Sequence, residues 1–334
     1  MTSTVADTCP SCANVVVAGD LFCETCGRPL PTGPATSPPT HCPACAEEVV
    51  ADDGYCGVCG MRAPVPGDHV EVAFASAAGV SDKGRRPQNQ DAFALWAEPD
   101  GRVMAVVCDG VSTTARPREA ARRAADAALV ALRDGSGGDS PGRALDGAYA
   151  AATEAVRGLE WTVSGDSAGP PSCTLLAALA VVDRVGLTSV GDCRAFWLPD
   201  DGEPCTLTED DSWAAERVSA GDMTPEEAYA DPRSHGITRW VGDDADPSWE
   251  PRRVEFSVPG PGRLILCSDG LWNYAATASE VAAAAGGGDP LSVGRRLVDF
   301  ANGKGGRDNI TVVVVDLPQA AGDGGRRLPT GGTP

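Results

Sequence analysis

The sequence predicts an α+β domain built on antiparallel sheets, preceded by two small metal-held units. Three observations carry this. From residue 70 onward, short apolar runs bounded by turn residues recur and read as buried strands. Helix-period segments come in blocks instead of after every strand, so the order is not a regular βαβ alternation. Before residue 60, where apolar residues are sparse, eight of the 13 cysteines fall in C-x-x-C pairs.

Those pairs are Cys9 and Cys12, Cys23 and Cys26, Cys42 and Cys45, and Cys56 and Cys59, with the second set repeating the first after 33 residues. Each set offers four thiolates, the number that tetrahedral zinc takes in a closed structural site. A glycine follows the second pair of each set and suits a left-handed closing turn. Neither unit has the apolar content to fold unaided, so two structural zinc ions would supply the folding energy. Redox dithiols are the competing reading, but four equally spaced pairs outside any βαβ context favour zinc. The arrangement resembles a double zinc ribbon. Residues 1–62 carry Arg28 and Arg62 against seven carboxylates, so a protein-contact role is expected for it and a nucleic-acid role is not.

The whole chain of 334 residues has a formal charge of −20. Such a surface repels nucleic acid and anionic membrane and favours metal cations and basic partners. No apolar run nears the roughly 18 residues of a membrane span. The N-terminus lacks a signal-peptide pattern, and paired cysteines suit a reducing compartment, so a cytoplasmic location is expected.

After a spacer at Ala63 to Asp68, Val70 to Val80 reads as a first strand. The loop Ser81 to Gln90 follows, in which Arg85 and Arg86 precede Asp91 across Pro87. An arginine fork there suits a phosphate dianion, the alternative being a surface loop of mixed charge. Val103 to Gly110, V-M-A-V-V-C-D-G, is a strand that breaks at Asp-Gly. Pro117 to Leu132 reads as a helix, with proline in its first turn and Gly135 past its end. A second helix runs from Pro141 to about Arg157. Cys173 to Val182 and Val185 to Val190 read as a hairpin turning at Asp183-Arg184. Gly191-Asp192-Cys193-Arg194 leads into another strand, with Asp192 expected as a turn residue that pairs with its own backbone or with Arg194, a metal neighbour being the alternative. Thr224 to Glu227 is a capping-box helix start. Leu264 to Gly270, L-I-L-C-S-D-G, repeats the strand that breaks at Asp-Gly. Two helices split by Gly286 to Pro290 fill Ser279 to Ala301, and Ile310 to Asp316 is a strand. Cys108, Cys173, Cys193, Cys205 and Cys267 fall in or beside strands and are expected to be buried thiols. With Asp109 and Asp269 both at strand exits, a rigid scaffold can aim two carboxylates at one hard cation.

Taken in order, R-P-Q-N-Q-D (Arg86 to Asp91), V-C-D-G (Val107 to Gly110), Cys173-Thr174, V-G-D-C-R (Val190 to Arg194), L-T-E-D-D-S (Leu207 to Ser212), I-T-R-W-V-G (Ile237 to Gly242), C-S-D-G-L (Cys267 to Leu271) and D-N-I-T (Asp308 to Thr311) resemble the type 2C, metal-dependent protein phosphatases, the PPM family. The resemblance implies an αββα sandwich of two antiparallel sheets flanked by helices. It also implies a phosphoserine/phosphothreonine protein substrate, a cognate kinase as partner, and two, or with Asp166 three, Mg or Mn ions. By position Asp109 matches the bridging ligand of both metals, Gly110 a carbonyl ligand of one, and Asp269 with Asp308 the remaining ligands of the other. Asp91 matches the carboxylate that holds a water on the metals, and Arg86 the phosphate clamp. An oxygen-only site suits Mg and Mn better than zinc.

Three departures stand out. Gln90 replaces an acidic residue, Val111 stands where many relatives have a histidine, and Asp211 replaces the histidine of the L-T-x-D-H-S motif. They motivate an alternative, a catalytically weak phosphoprotein-binding scaffold recruited through the ribbons. The expected organisation is a double zinc ribbon at 1–66, the phosphatase domain at 67–318 and a disordered tail at 319–334.

Overall fold

The computed structural model describes residues 7–8, 15–16, 56–60, 67–137, 141–163, 169–181 and 183–318. Chain contacts divide it into two compact units, Met1–His69 and Val70–Pro334. In the first, β1 (Asp7–Thr8) pairs antiparallel with β2 (Val15–Val16), Asp7 opposite Val16, so the hairpin brackets Cys9 and Cys12 in sequence. Cys56 to Gly60 forms a tight turn, the Gly60 N–H donating to Cys56 O at 2.8 Å with Gly60 at φ 71°. Cys56 is buried and Cys59 exposed. Cys9, Cys12, Cys23, Cys26, Cys42 and Cys45 lie outside the described residues, as does Asp166.

The second unit is an αββα sandwich. One sheet has six strands in the order β11 (Cys205–Thr206), β10 (Arg194–Pro199), β14 (Gly262–Cys267), β15 (Ile310–Leu317), β4 (Ala77–Asp82) and β3 (His69–Ala73). The other has five, in the order β13 (Arg252–Ser257), β9 (Arg184–Val190), β8 (Leu175–Val181), β6 (Val103–Asp109) and β5 (Asp91–Ala97). A short antiparallel pair, β7 (Ser172–Cys173) with β12 (Val241–Gly242), lies outside both.

Period-two alternation sorts the side chains of each strand between two layers. In β6, Met104, Val106 and Cys108 pack under α1 (Pro117–Gly135) and α2 (Pro141–Arg157), while Val103, Ala105 and Val107 face the opposite sheet. In β15, Ile310, Val312 and Val314 face α6 (Ala278–Ala285) and α7 (Pro290–Lys304), while Val313 and Val315 face inward. The buried stripe of α1, Ala120, Ala121, Ala124, Ala125 and Ala128, is narrow enough for the helix to approach the sheet closely. Each large side chain buried in the three clusters contributes about 1.5–3 kcal/mol of transfer free energy.

Several sequence expectations need correction. The run Val70 to Val80 is two strands, β3 and β4, and not one. The β8–β9 register sets Val181 opposite Arg184, so Arg184 already belongs to a strand and is not part of the turn. Cys205 is exposed, because β11 is an edge strand of two residues. Arg194 pairs with Asp210 and not with Asp192: Nη2 donates to Asp210 Oδ2 at 2.6 Å and Nε to Oδ1 at 3.0 Å. Strand β5, strand β13, α3 (Trp213–Ser219) and the one-turn α5 (Asp269–Trp272) were not anticipated. The capping box at Thr224 opens α4 (Pro225–Ala230) as expected. Among the described residues no helix is long and apolar enough to cross a membrane.

Candidate active site

The same alternation that sorts the core also aims the acids. Phe93 and Leu95 of β5 face the space between the sheets, so Asp91, two residues earlier, points there as well. Val103, Ala105 and Val107 do the same for Asp109 at the end of β6, and the register sets Asp91 directly opposite Asp109. On the facing sheet, β14 delivers Asp269 at the start of α5, and Asp308 immediately precedes β15.

Both Asp-Gly breaks exist for steric reasons. A Cβ on Gly110 would stand 2.3 Å from Pro117 O and 2.9 Å from Gln90 O. One on Gly270 would stand 1.9 Å from Asn309 O. Only glycine lets the backbones that carry Asp109 and Asp269 close on their neighbours.

The acids share one electrostatic environment. Burial raises the Asp109 carboxyl well above its ordinary range, and the charges of Asp91, Asp269, Asp192 and Asp308 raise it further. Burial also raises Asp269, with Asp192, Asp308 and Asp91 adding repulsion. Asp91 is pushed up to about 6 by burial, against hydrogen bonds from Ser268 and Thr311 that lower it. Asp192 is pushed up to about 7, again chiefly by burial and then by Asp210. Five carboxylates that repel one another in one cleft, Asp91 and Asp192 buried and the other three partly exposed, call for a cation.

Polar neighbours fix each group. Ser268 Oγ donates to Asp91 Oδ2 at 2.7 Å, while Asp91 Oδ1 and Asp269 Oδ1 are buried with no hydrogen-bond partner. The Asp109 N–H donates to Thr174 Oγ1 at 2.8 Å. Asp308 Oδ1 accepts the Asn309 N–H at 2.8 Å, and its Oδ2 accepts Arg86 Nη2 at 2.6 Å. Burial alone would lower the Arg86 guanidinium pKa; the Asp308 hydrogen bond and the charges of Asp308, Asp269 and Asp109 outweigh it and raise it.

The residues fit a pair of hard divalent cations. The donors are all oxygen, two of the acid oxygens are orphaned in the interior, and the carboxylates destabilise one another. Among the described residues no three His, Cys, Asp or Glu side chains stand as a ready-made chelate. Asp308 leans on Arg86 and Asp91 on Ser268, so these side chains have to turn from their present partners to chelate a metal.

The three departures each have a structural setting. Gln90 Oε1 accepts from Ser112 Oγ at 2.7 Å, tying the loop before β5 to the loop after Asp109. Val111 is half-buried and offers no proton. Asp211 is buried, with Arg252 Nε donating to Oδ1 at 2.8 Å and the Gly191 N–H to Oδ2 at 3.2 Å. It therefore holds the turn that carries Asp192.

Residues 78–287 match the family described as Protein phosphatase 2C, and residues 9–60 match the Double zinc ribbon family. The chain belongs to the protein phosphatase 2C family. Among its relatives is the serine/threonine protein phosphatase PstP of Mycobacterium tuberculosis, 33% identical over 250 residues, a stretch covering 72% of this chain and 44% of PstP. Another is the protein phosphatase PhpP of Streptococcus pneumoniae, 36% identical over 148 residues, covering 43% of this chain and 58% of PhpP. The chain thus spans about half the length of these relatives. A crystal structure of the PstP catalytic domain in complex with two manganese ions superposes with a TM-score of 0.60 at 30% identity, covering 73% of this chain and 98% of that one.

Within this phosphatase 2C frame, sequence reasoning underrated three residues. Asp192 sits in the expected turn, bonded to its own backbone, and is also buried beside the acids, the place that the metal-neighbour alternative gave it. Ser268, inside the C-S-D-G-L motif, carries the hydroxyl that fixes Asp91. Asn309, inside D-N-I-T, donates through Nδ2 to Lys83 O at 2.8 Å and to Gln88 O at 3.1 Å, and accepts the Gln90 N–H at 2.7 Å. A buried amide beside a candidate ligand was the available signal for the last.

Proposed function

We propose that this chain is a metal-dependent protein serine/threonine phosphatase. Its metal ligands on this reading are Asp109, the Gly110 carbonyl, Asp269 and Asp308, and its substrates are phosphoproteins, among them targets of a cognate kinase. The zinc ribbon supplies a protein-contact surface. The single observation that carries the reading is the inter-sheet cluster of mutually repelling aspartates with two orphaned buried oxygens.

Two bound Mg or Mn ions would supply a water acidic enough to attack at neutral pH and positive charge for the oxygens of the transferring phosphoryl group. The chain's own residues do the rest. With Nε anchored on Arg307 O at 3.2 Å, Arg86 offers a planar fork to two phosphate oxygens once Asp308 turns from its Nη2 toward the metals. Asp91, gripped at Oδ2 by Ser268, keeps Oδ1 as the acceptor that orients the attacking water. Val111 has no proton to give, and Asp211 is engaged by Arg252, so the leaving serine or threonine oxygen takes its proton from solvent.

Phosphate release from a phosphothreonine peptide by the full chain with manganese, beside an Asp109→Asn variant, tests this. The variant is expected to lose at least ~100-fold in kcat, the scale of losing several kcal/mol of metal assistance. Equal turnover by both chains, or none by either, overturns the proposal.

A further inference from the structure

Two loops bordering the acid cleft are sewn together by one backbone and two side-chain hydrogen bonds. The Arg85 N–H donates to Gly306 O at 2.8 Å, Arg86 Nε to Arg307 O at 3.2 Å, and Asn309 Nδ2 to Lys83 O at 2.8 Å. The Arg307 N–H in turn donates to Tyr274 Oη at 3.1 Å, which fixes that loop against the segment following α5. The result gathers Arg85, Arg86 and Arg307 on one rim, immediately before Asp308.

Arg86 is engaged by Asp308. Arg85 and Arg307 are exposed, and among the described residues neither makes a side-chain hydrogen bond or ion pair. The chain carries 47 acidic residues against 27 Lys and Arg. Elsewhere on the surface Arg217 pairs with Asp222, Arg233 with Asp231 and Arg295 with Glu71. A pair of uncommitted guanidinium groups beside the phosphate clamp is a local positive site on a strongly negative molecule, where an incoming anion is drawn in.

We propose that Arg85 and Arg307 form a second anion subsite that selects substrate segments carrying a further anionic side chain close to the phosphoresidue being hydrolysed. This rests on the phosphatase reading above. The shared chemistry is an oxyanion, supplied either by a second phosphoryl group or by a carboxylate. Two planar forks match the three oxygens of a phosphoryl dianion better than a single carboxylate, so the phosphoryl source ranks first. Exposed arginine pairs are individually weak and screened by salt, so the selectivity is modest and falls as ionic strength rises.

The test compares three synthetic peptides of one sequence: a phosphothreonine peptide with glutamine three residues away, one with glutamate there, and one with a second phosphothreonine. The full chain, with manganese, is expected to show kcat/KM about tenfold higher for the doubly phosphorylated peptide than for the glutamine peptide, or ~1.4 kcal/mol. The glutamate peptide falls between them. In an Arg85→Gln/Arg307→Gln variant the ratio between peptides is expected to shrink below about twofold, and because a ratio is read, any general loss of activity cancels. Fluorescence polarisation of the same peptides on the Asp109→Asn chain repeats the comparison without turnover. Hydrolysis with no preference in either measurement, or a preference unchanged in the double variant, overturns the subsite. Preferential binding that is lost in the double variant, but without hydrolysis by the wild-type chain, upholds the subsite and overturns the phosphatase reading. A glutamate peptide equal to the doubly phosphorylated one upholds the subsite and assigns it to carboxylates.

Discussion

Replacing Asn309 by alanine tests how the two halves of the cleft are held together. Its side chain, 3% exposed, makes three hydrogen bonds to the loop that carries Arg86 and Asp91: to Lys83 O at 2.8 Å, to Gln88 O at 3.1 Å and from the Gln90 N–H at 2.7 Å. Each lost bond costs about 0.5–1.5 kcal/mol net, and more where the stranded partner stays dry. All three partners are backbone groups in partly buried surroundings, where water reaches some of them, so the sum is about 2–3 kcal/mol. That is a large share of a domain's usual 5–15 kcal/mol, roughly speaking. The loop also loses its register against Asp308, and a displacement of about 1 Å in a positioning group can cost on the order of 100-fold in rate. Urea unfolding and kcat/KM on a phosphothreonine peptide at saturating manganese read the two effects. A stability change below ~0.5 kcal/mol together with unaltered kcat/KM would refute the reasoning.

Other consequences follow from the same geometry. Arg194→Leu removes the bonds to Asp210 and the 3.8 Å stacking on Trp272, and strands Asp210, whose side chain is 3% exposed. Denaturant unfolding should show a loss of about 3–5 kcal/mol, partly recovered in Arg194→Leu/Asp210→Leu. In protein dialysed free of magnesium and manganese, Asp91 and Asp192 bind protons up to about 6 and about 7, above their ordinary 3.8. A raised carboxylate stabilises the fold at low pH and loses that contribution as pH rises through the folded value. The Tm of this dialysed protein should therefore fall between about pH 4 and 7, and added manganese should reverse the slope; a Tm rising with pH without metal would contradict the acid cluster. Among the phosphatase-domain cysteines, only exposed Cys205 should be alkylated in the folded chain, as mapped by mass spectrometry, while buried Cys108, Cys173, Cys193 and Cys267 react on unfolding.

How much of this the sequence revealed depended on the kind of signal. Strands with long uninterrupted apolar runs, such as β6 and β15, were legible because both faces are buried. Strand β5 was not, since Asp91 and the loop before it disguised its start as an exposed charged segment. Strand β13 alternates between exposed and half-buried positions at a sheet edge, which weakens its apolar pattern. Asp109 and Asp269 were visible as site candidates because each ends a strand at an Asp-Gly break. The steric need for those glycines was invisible, because it arises from chain segments distant in sequence, as when Gly270 meets Asn309 O. Arg194 went to the wrong partner for a similar reason. Local spacing favoured Asp192, whereas the sheet brings Asp210 alongside it.

The most direct measurement is anomalous diffraction at the manganese edge from crystals of the full chain grown with manganese chloride. Two peaks are predicted between the sheets, both against Asp109, one also against the Gly110 carbonyl and the other against Asp269 and Asp308. Ordered manganese bound elsewhere, or a cleft that stays free of it while Asp308 keeps its bond to Arg86, would contradict the account.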